Sequence, residues 1–138
     1  MVMASQKKAS SSVTLECSKK KNSKKWSSIG VKRIARERKR QITEEGWTAE
    51  HDDQHNDGEL ALVGALYASP KQLYEEERHR GAIVFKDPWP RSWDYIWDKR
   101  TEATSIGDRI RALEKAGALI AAEIDRLFRL KGIKSHNV

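Results

Sequence analysis

The chain has one cysteine, three prolines and two phenylalanines in 138 residues, and each scarcity excludes something. A lone Cys17 forms no internal disulfide and no cysteine metal site, which fits a reduced, intracellular protein. No apolar run approaches the roughly 18 residues of a membrane span, and the basic start is followed by no apolar stretch of a secretory signal. Neither a GxxxxGK[ST] nor a GxGxxG phosphate-binding loop is present. Cys17 has no paired histidine, so nothing supports nucleophilic catalysis.

Positive charge is abundant but confined. Residues 1–40 hold 13 Lys/Arg against two acids, a net of +11, and residues 41–138 carry a net of −4. Residues 41–60 hold seven acids and no Lys or Arg. The stretch 1–28 is rich in Ser and Lys, and only Val13, Leu15 and Trp26 are suited to packing. It is expected to be a disordered basic arm, because so little apolar area cannot offset ordering entropy. Its lysines, Lys19, Lys20, Lys21, Lys24 and Lys25, suit phosphates of nucleic acid without reading sequence. A solubilising extension is the plainer reading.

Periodicity predicts one all-α domain, a small helical bundle over 29–132, with a short tail at 133–138. A first helix runs from a Ser28 cap to Glu45, stopped by Gly46. A polar loop or single turn covers 48–58, and Leu60, Val63, Gly64 and Tyr67 mark a second helix over 59–68. Ser69-Pro70-Lys71-Gln72 has the form of a capping box and predicts a helix through about Arg80. Ala82–Phe85 reads as briefly extended. A long helix starts at Ser105, and Ile106, Ile110, Leu113, Gly117, Ile120, Ile124 and Leu127 repeat at alternate steps of four and three. That stripe is expected to be the core face of the bundle, with a homodimer seam as the alternative. Gly117 is expected where a neighbouring helix comes close.

Three groups of residues carry potential chemistry. In the acidic loop, His51, Asp52, His55 and Glu59 offer nitrogen and oxygen ligands, with His51 and His55 on one face if helical. Further His and Asp ligands of an HD-type phosphohydrolase are missing, so a metal-assisted nucleotide hydrolase is the alternative to a binding role. The plainer reading has Asp52, Asp53 and His55 capping helices, with Trp47 as a core plug. Trp89, Trp93 and Trp97, at steps of four, would form one aromatic face on a helix from Pro90. That face could stack a base or anchor a partner, or pack as core. Finally, the repelling acids of 41–60 call for cations from elsewhere, Arg36, Arg38, Arg40, Lys115 and Arg126 being the candidates. On this basis Arg38, Trp47, His51, Asp52 and Lys115 are expected to line one polar pocket. A ligand phosphate would meet Arg38 and Lys115, and its base would stack on Trp47.

The residues Glu37, Arg38, Arg40, Gln41, Glu45–Thr48, Glu50–Asp53, His55 and Gly58–Ala61 fit a pattern ERxRQxxxEGWTxEHDDxHxxGELA. Lys115–Leu127 fits KAGALIxAEIxRL. Together they resemble a family of short phage and prophage proteins, over about residues 36–130. The resemblance implies a small accessory binding protein, an anti-defence role included, in the host cytoplasm. Its partner would be a nucleotide, a nucleotide-derived signal, or a host protein handling one, since similar segments look to be joined to nucleotide pyrophosphohydrolase-like domains. Gly46-Trp47-Thr48 with Asp52-Asp53 is also similar to the ryanodine-receptor repeat domain. There the gap is two residues longer and a Pro-rich turn follows.

Overall fold

The computed structural model describes residues 27–132. The basic arm, including Lys19, Lys20, Lys21, Lys24 and Lys25, and the tail 133–138 lie outside the described residues. In chain order the elements are α1 (Ile29–Glu45), α2 (Ala49–Asp52), α3 (Glu59–Ala68), β1 (Glu75–His79), β2 (Ala82–Lys86), a 3-10 turn (Tyr95–Trp97) and α4 (Ile106–Leu130). The fold is therefore helix-rich but mixed, and the all-α expectation is overturned by a two-stranded antiparallel sheet.

The helix ends follow local chemistry. The Ser28 hydroxyl accepts the Val31 amide at 3.2 Å and starts α1. Gly46 ends it at φ 74°, a left-handed conformation that costs glycine little, and the Trp47 amide reaches back to the Gln41 carbonyl. Thr48 caps the single turn of α2. Ser105 and Asp108 form a reciprocal capping box at the start of α4.

The helix expected over 69–80 is not formed. Ser69 instead ends α3, and its hydroxyl accepts the Lys71 amide at 3.2 Å in a local turn. The following chain enters β1. Arg80 (φ 49°) and Gly81 (φ 81°) are the two-residue loop of a hairpin, a turn whose twist matches that of the strands. The pairing sets Glu75 opposite Lys86 and Glu77 opposite Val84, and Lys86 forms an ion pair with Glu77. Opposite charges across the ladder, with β-branched Ile83 and Val84, favour the hairpin over a helix carrying three adjacent glutamates.

α4 is the backbone of the packing and lies against α1, α2 and α3. The core is Leu60, Val63, Leu66 and Tyr67 of α3, Trp89 and Trp93 of the connection, and Ala116, Leu119 and Ala122 of α4. Burying each of the larger side chains stabilises by about 1.5–3 kcal/mol. Gly64 allows close approach: a Cβ there would lie 3.3 Å from the Ala116 carbonyl oxygen and 3.1 Å from Ile120. Gly117 does the same for α1, since a Cβ there would meet Ile34 at 2.6 Å.

The phase of α4 differs from expectation. The face it buries carries Ala116, Ala118, Leu119 and Ala122, and the stripe Ile106, Ile110, Leu113, Ile120, Ile124 and Leu127 is exposed. Small residues win the inner face because α1 and α3 both approach α4 closely. Charge also helps to join α1 to α4. Glu37 of α1 is buried and accepts from Arg40 and, at 2.6 Å, from Arg111 of α4. Glu114 of α4 is buried and accepts from Arg33 of α1 and from Arg111.

Candidate functional site

The sequence-expected pocket comes apart into two regions. Arg38 donates through Nη2 to Oδ2 of Asp52, whose side chain is fully buried, and through Nη1 to the Trp47 carbonyl at 3.4 Å. This pair ties α1 to the α2 turn. Its carboxylate is spent on the protein's own guanidinium, which is the scaffold arrangement rather than a ligand cradle. Two other acids of the loop have guanidinium partners of their own. Asp53 accepts from Arg129 at 2.7 Å, and Glu45 accepts from Arg40 at 2.7 Å. Arg126, expected to serve the loop, is buried and donates to Glu123 within α4 at 2.8 Å.

Behind this pair sits an aromatic nest. The helix expected from Pro90 is absent, yet the tight turn 90–97 still gathers the three tryptophans, with Trp89–Trp93 centroids 5.8 Å apart and Trp93–Trp97 5.7 Å. Trp89 is 5% and Trp93 3% exposed. They are core, not the stacking surface that is one reading of the sequence. Trp97 is half-buried and meets Trp47 at 5.9 Å. The Arg100 guanidinium lies 5.0 Å over Trp89.

Both histidines join the nest. The His51 ring lies 5.1 Å from Trp47 and 4.9 Å from His55. Nδ1 of His55 accepts the Trp93 indole N–H at 3.0 Å, which requires the neutral ring. Burial, then the neighbouring His51, pushes the His55 pKa down. The set His51, Asp52, His55 and Glu59 does not converge. His51 Nδ1 and Asp52 Oδ1 are 3.7 Å apart, His55 turns to Trp93, and Glu59 accepts from the Asp57 amide at 2.8 Å. Among the described residues no three His, Cys, Asp or Glu side chains are placed to hold a metal ion.

Lys115 lies elsewhere. Its ammonium is 5.6 Å over the Tyr67 ring, and burial with the nearby Arg111 pushes its pKa down. Lys115 and Trp47 do border one cavity, of about 40 Å³. That is room for about one water molecule, not for a nucleotide.

Tyr67, Lys99 and Lys115 are also walls of a much larger cleft of about 700 Å³, between the end of α3, residues 99–103 and the first half of α4. Pockets of that size hold small molecules. Six cations line it, Lys71, Lys99, Arg100, Arg109, Arg111 and Lys115, against Glu102 and Asp108. Three of the cations are committed to the fold. Arg100 is held by Asp98 and Asp87 at 2.7 Å each, Arg111 by Glu37 and Glu114, and Arg109 donates to the Ala68 and Ser69 carbonyls at the end of α3. Lys71, Lys99 and Lys115 form no ion pair among the described residues. Asp108 is occupied with the α4 cap. The Tyr67 hydroxyl accepts the Lys99 amide at 2.9 Å, and burial pushes its pKa up.

No family model, curated protein or solved structure matches this chain. The site must therefore be read from its own chemistry.

Of the five residues expected in the pocket, only Lys115 reaches the cleft. Sequence reasoning missed Lys71, Lys99, Arg109 and Arg111. The available signal was Lys99-Arg100 directly after the tryptophans and Arg109 with Arg111 in the first turns of α4. Only the turn at 98–104 brings these groups opposite one another. The cleft offers cations and an aromatic wall, groups that suit an anionic ligand.

Proposed function

We propose that this domain binds a phosphate-bearing small molecule, a nucleotide or nucleotide-derived signal, in the cleft between α3, residues 99–103 and α4. One observation carries the reading: Lys71, Lys99 and Lys115 face a nucleotide-sized cleft and form no ion pair among the described residues. Unanswered cations in a concave, partly desolvated site attract an anionic ligand strongly. We take the ligand to be held rather than turned over, since among the described residues the acids lining the cleft are Glu102 and the capping Asp108. The resemblance to phage and prophage proteins supports an accessory role in the host cytoplasm, sequestering such a ligand or occupying a host protein that handles it. No helix among the described residues is long and apolar enough to cross a membrane, which is compatible with that setting.

Isothermal titration with ATP, ADP and inorganic pyrophosphate tests the reading. Binding is expected for at least one of them, weakened roughly tenfold or more by Lys99→Ala or Lys115→Ala, since a charge-assisted contact is worth about 1.5–3 kcal/mol. Absence of binding for all three at millimolar concentration would refute it.

A second reading rests on α1. Arg33, Arg36, Lys39 and Arg40 line a separate groove of about 380 Å³ along α1 and α4. Arg36 and Lys39 form no ion pair among the described residues. With the lysines of the preceding arm, this groove suits a nucleic-acid backbone. Binding to a duplex of arbitrary sequence with a steep salt dependence would favour it.

A further inference from the structure

One face of α4 carries an apolar seam that the fold covers only at its middle, where Ile34 of α1 lies over Gly117 and Ile120 lies against Gly64 of α3. Ile106, Ile110, Leu113, Ile120, Ile124 and Leu127 are between 42% and 82% exposed. With Gly117 they repeat at alternate steps of four and three along 25 residues of helix. That spacing keeps the side chains on one face of the helix. The domain's own core uses different positions, Ala116, Ala118, Leu119 and Ala122. Ile34 of α1 sits over Gly117, so the one notch in the seam is filled by an apolar group. Val31 and Ile42 of α1 add exposed apolar surface.

We infer that this seam is the interface with a second copy of the chain. The exposed parts of the six side chains amount to roughly 500 Å² of apolar surface, the upper range seen on monomers. Two copies would bury about 1,000 Å² from the seams alone, the threshold for a specific interface, and Val31 and Ile42 extend it. A two-fold pair uses one patch twice, so a helix whose seam is wholly neutral and apolar meets its own complement. Residues 1–26 are a poorer occupant. They hold seven lysines, and Val13, Leu15 and Trp26 do not repeat at the spacing of a seven-position seam.

Sedimentation velocity of the full chain up to about 100 μM decides this, a range that captures even a modest association. A dimer is expected. Ile124→Glu, at the middle of the C-terminal half of the seam, should yield a monomer with the parent's circular dichroism. Ile106→Glu lies at the helix start and is 82% exposed, so it leaves folding alone. It should shift the dissociation midpoint at least tenfold, and it decides the matter if Ile124→Glu fails to fold. Leu62→Glu, exposed on α3 outside the seam, should leave the dimer intact. A monomeric parent at the highest concentration, whatever covers the seam, would overturn the inference. So would a dimer that survives both seam substitutions.

Discussion

Two polar regions of this domain sit side by side and are built on opposite terms. Between α1, α2 and α4, each buried carboxylate has a guanidinium: Asp52 has Arg38, Glu37 has Arg40 and Arg111, and Glu114 has Arg33 and Arg111. Around the cleft between α3 and α4, cations outnumber acids six to two, and three lysines have no ionic partner among the described residues. The first arrangement is self-contained and defines how helices meet. The second leaves lysines without ionic partners among the described residues, and there we propose a ligand. Clustered charge at two places thus has two meanings, and the presence or absence of a partner separates them.

The largest expected effect comes from breaking the self-contained region. Asp52→Ala leaves Arg38 buried against the Trp47 carbonyl with no counter-charge, which costs about 3–5 kcal/mol. Denaturant titration should show the midpoint falling accordingly. A loss under 1 kcal/mol would mean that water reaches Arg38 freely. Next in size is Gly117→Leu, whose Cβ alone would stand 2.6 Å from Ile34. Overpacking of this kind costs about 1–3 kcal/mol, and an unchanged thermal midpoint would show that α1 and α4 are further apart.

Acid should act on the same region. Burial pushes the His55 pKa down in the fold, so the unfolded chain takes up the proton first, near the ordinary value of about 6.5. Stability is complete above that pH and is lost as pH falls through it, because protonated Nδ1 cannot accept from Trp93. A second loss follows at lower pH. Burial opposes ionisation of Glu37 and Glu114, but hydrogen bonds from Arg40 and Arg111, and from Arg33 and Arg111, outweigh it and hold both pKa values low. Their contribution is present above the ordinary glutamate value of about 4.3 and disappears as pH falls toward the folded value. Thermal midpoints measured from neutral pH downward should fall in these two steps; a profile flat from pH 7 to pH 4 would contradict the His55 assignment, and one flat from pH 4 downward the glutamate assignment.

The smallest structural effect belongs to the cleft. Lys71→Ala and Lys99→Ala remove exposed cations without partners and should change stability by no more than about 0.5 kcal/mol. A large loss would place these lysines in the scaffold after all.

The frame was largely legible in the sequence and the site was not. Ser28, Gly46 and Ser105 marked their helix boundaries because capping is local chemistry, read within four residues. The hairpin was missed because Ser69-Pro70-Lys71-Gln72 and Glu75–Glu77 fit a helix start equally well. The decisive feature, the Arg80-Gly81 turn, gains its meaning only when Ile83–Phe85 pairs back. The seam on α4 was found but assigned inward, since period shows that residues share a face and not which face the core takes. The five-residue pocket failed for a related reason. Arg38 and Lys115 were grouped by charge, yet each charge has its own nearest neighbour, Asp52 for one and the Tyr67 ring for the other. No spacing along the chain encodes that choice.

The most direct test of the division between scaffold and ligand charges measures one quantity on two variants: the affinity for the phosphate ligand that binds the parent most tightly. Lys99→Ala with Lys115→Ala should keep a folded domain and lose roughly a hundredfold or more in affinity, two charge-assisted contacts being removed. Arg36→Ala with Lys39→Ala, which removes the same charge from the α1 groove, should leave the affinity within about twofold. Equal losses in both double variants would show that only the net charge of the domain attracts the ligand, and would contradict a site in the cleft.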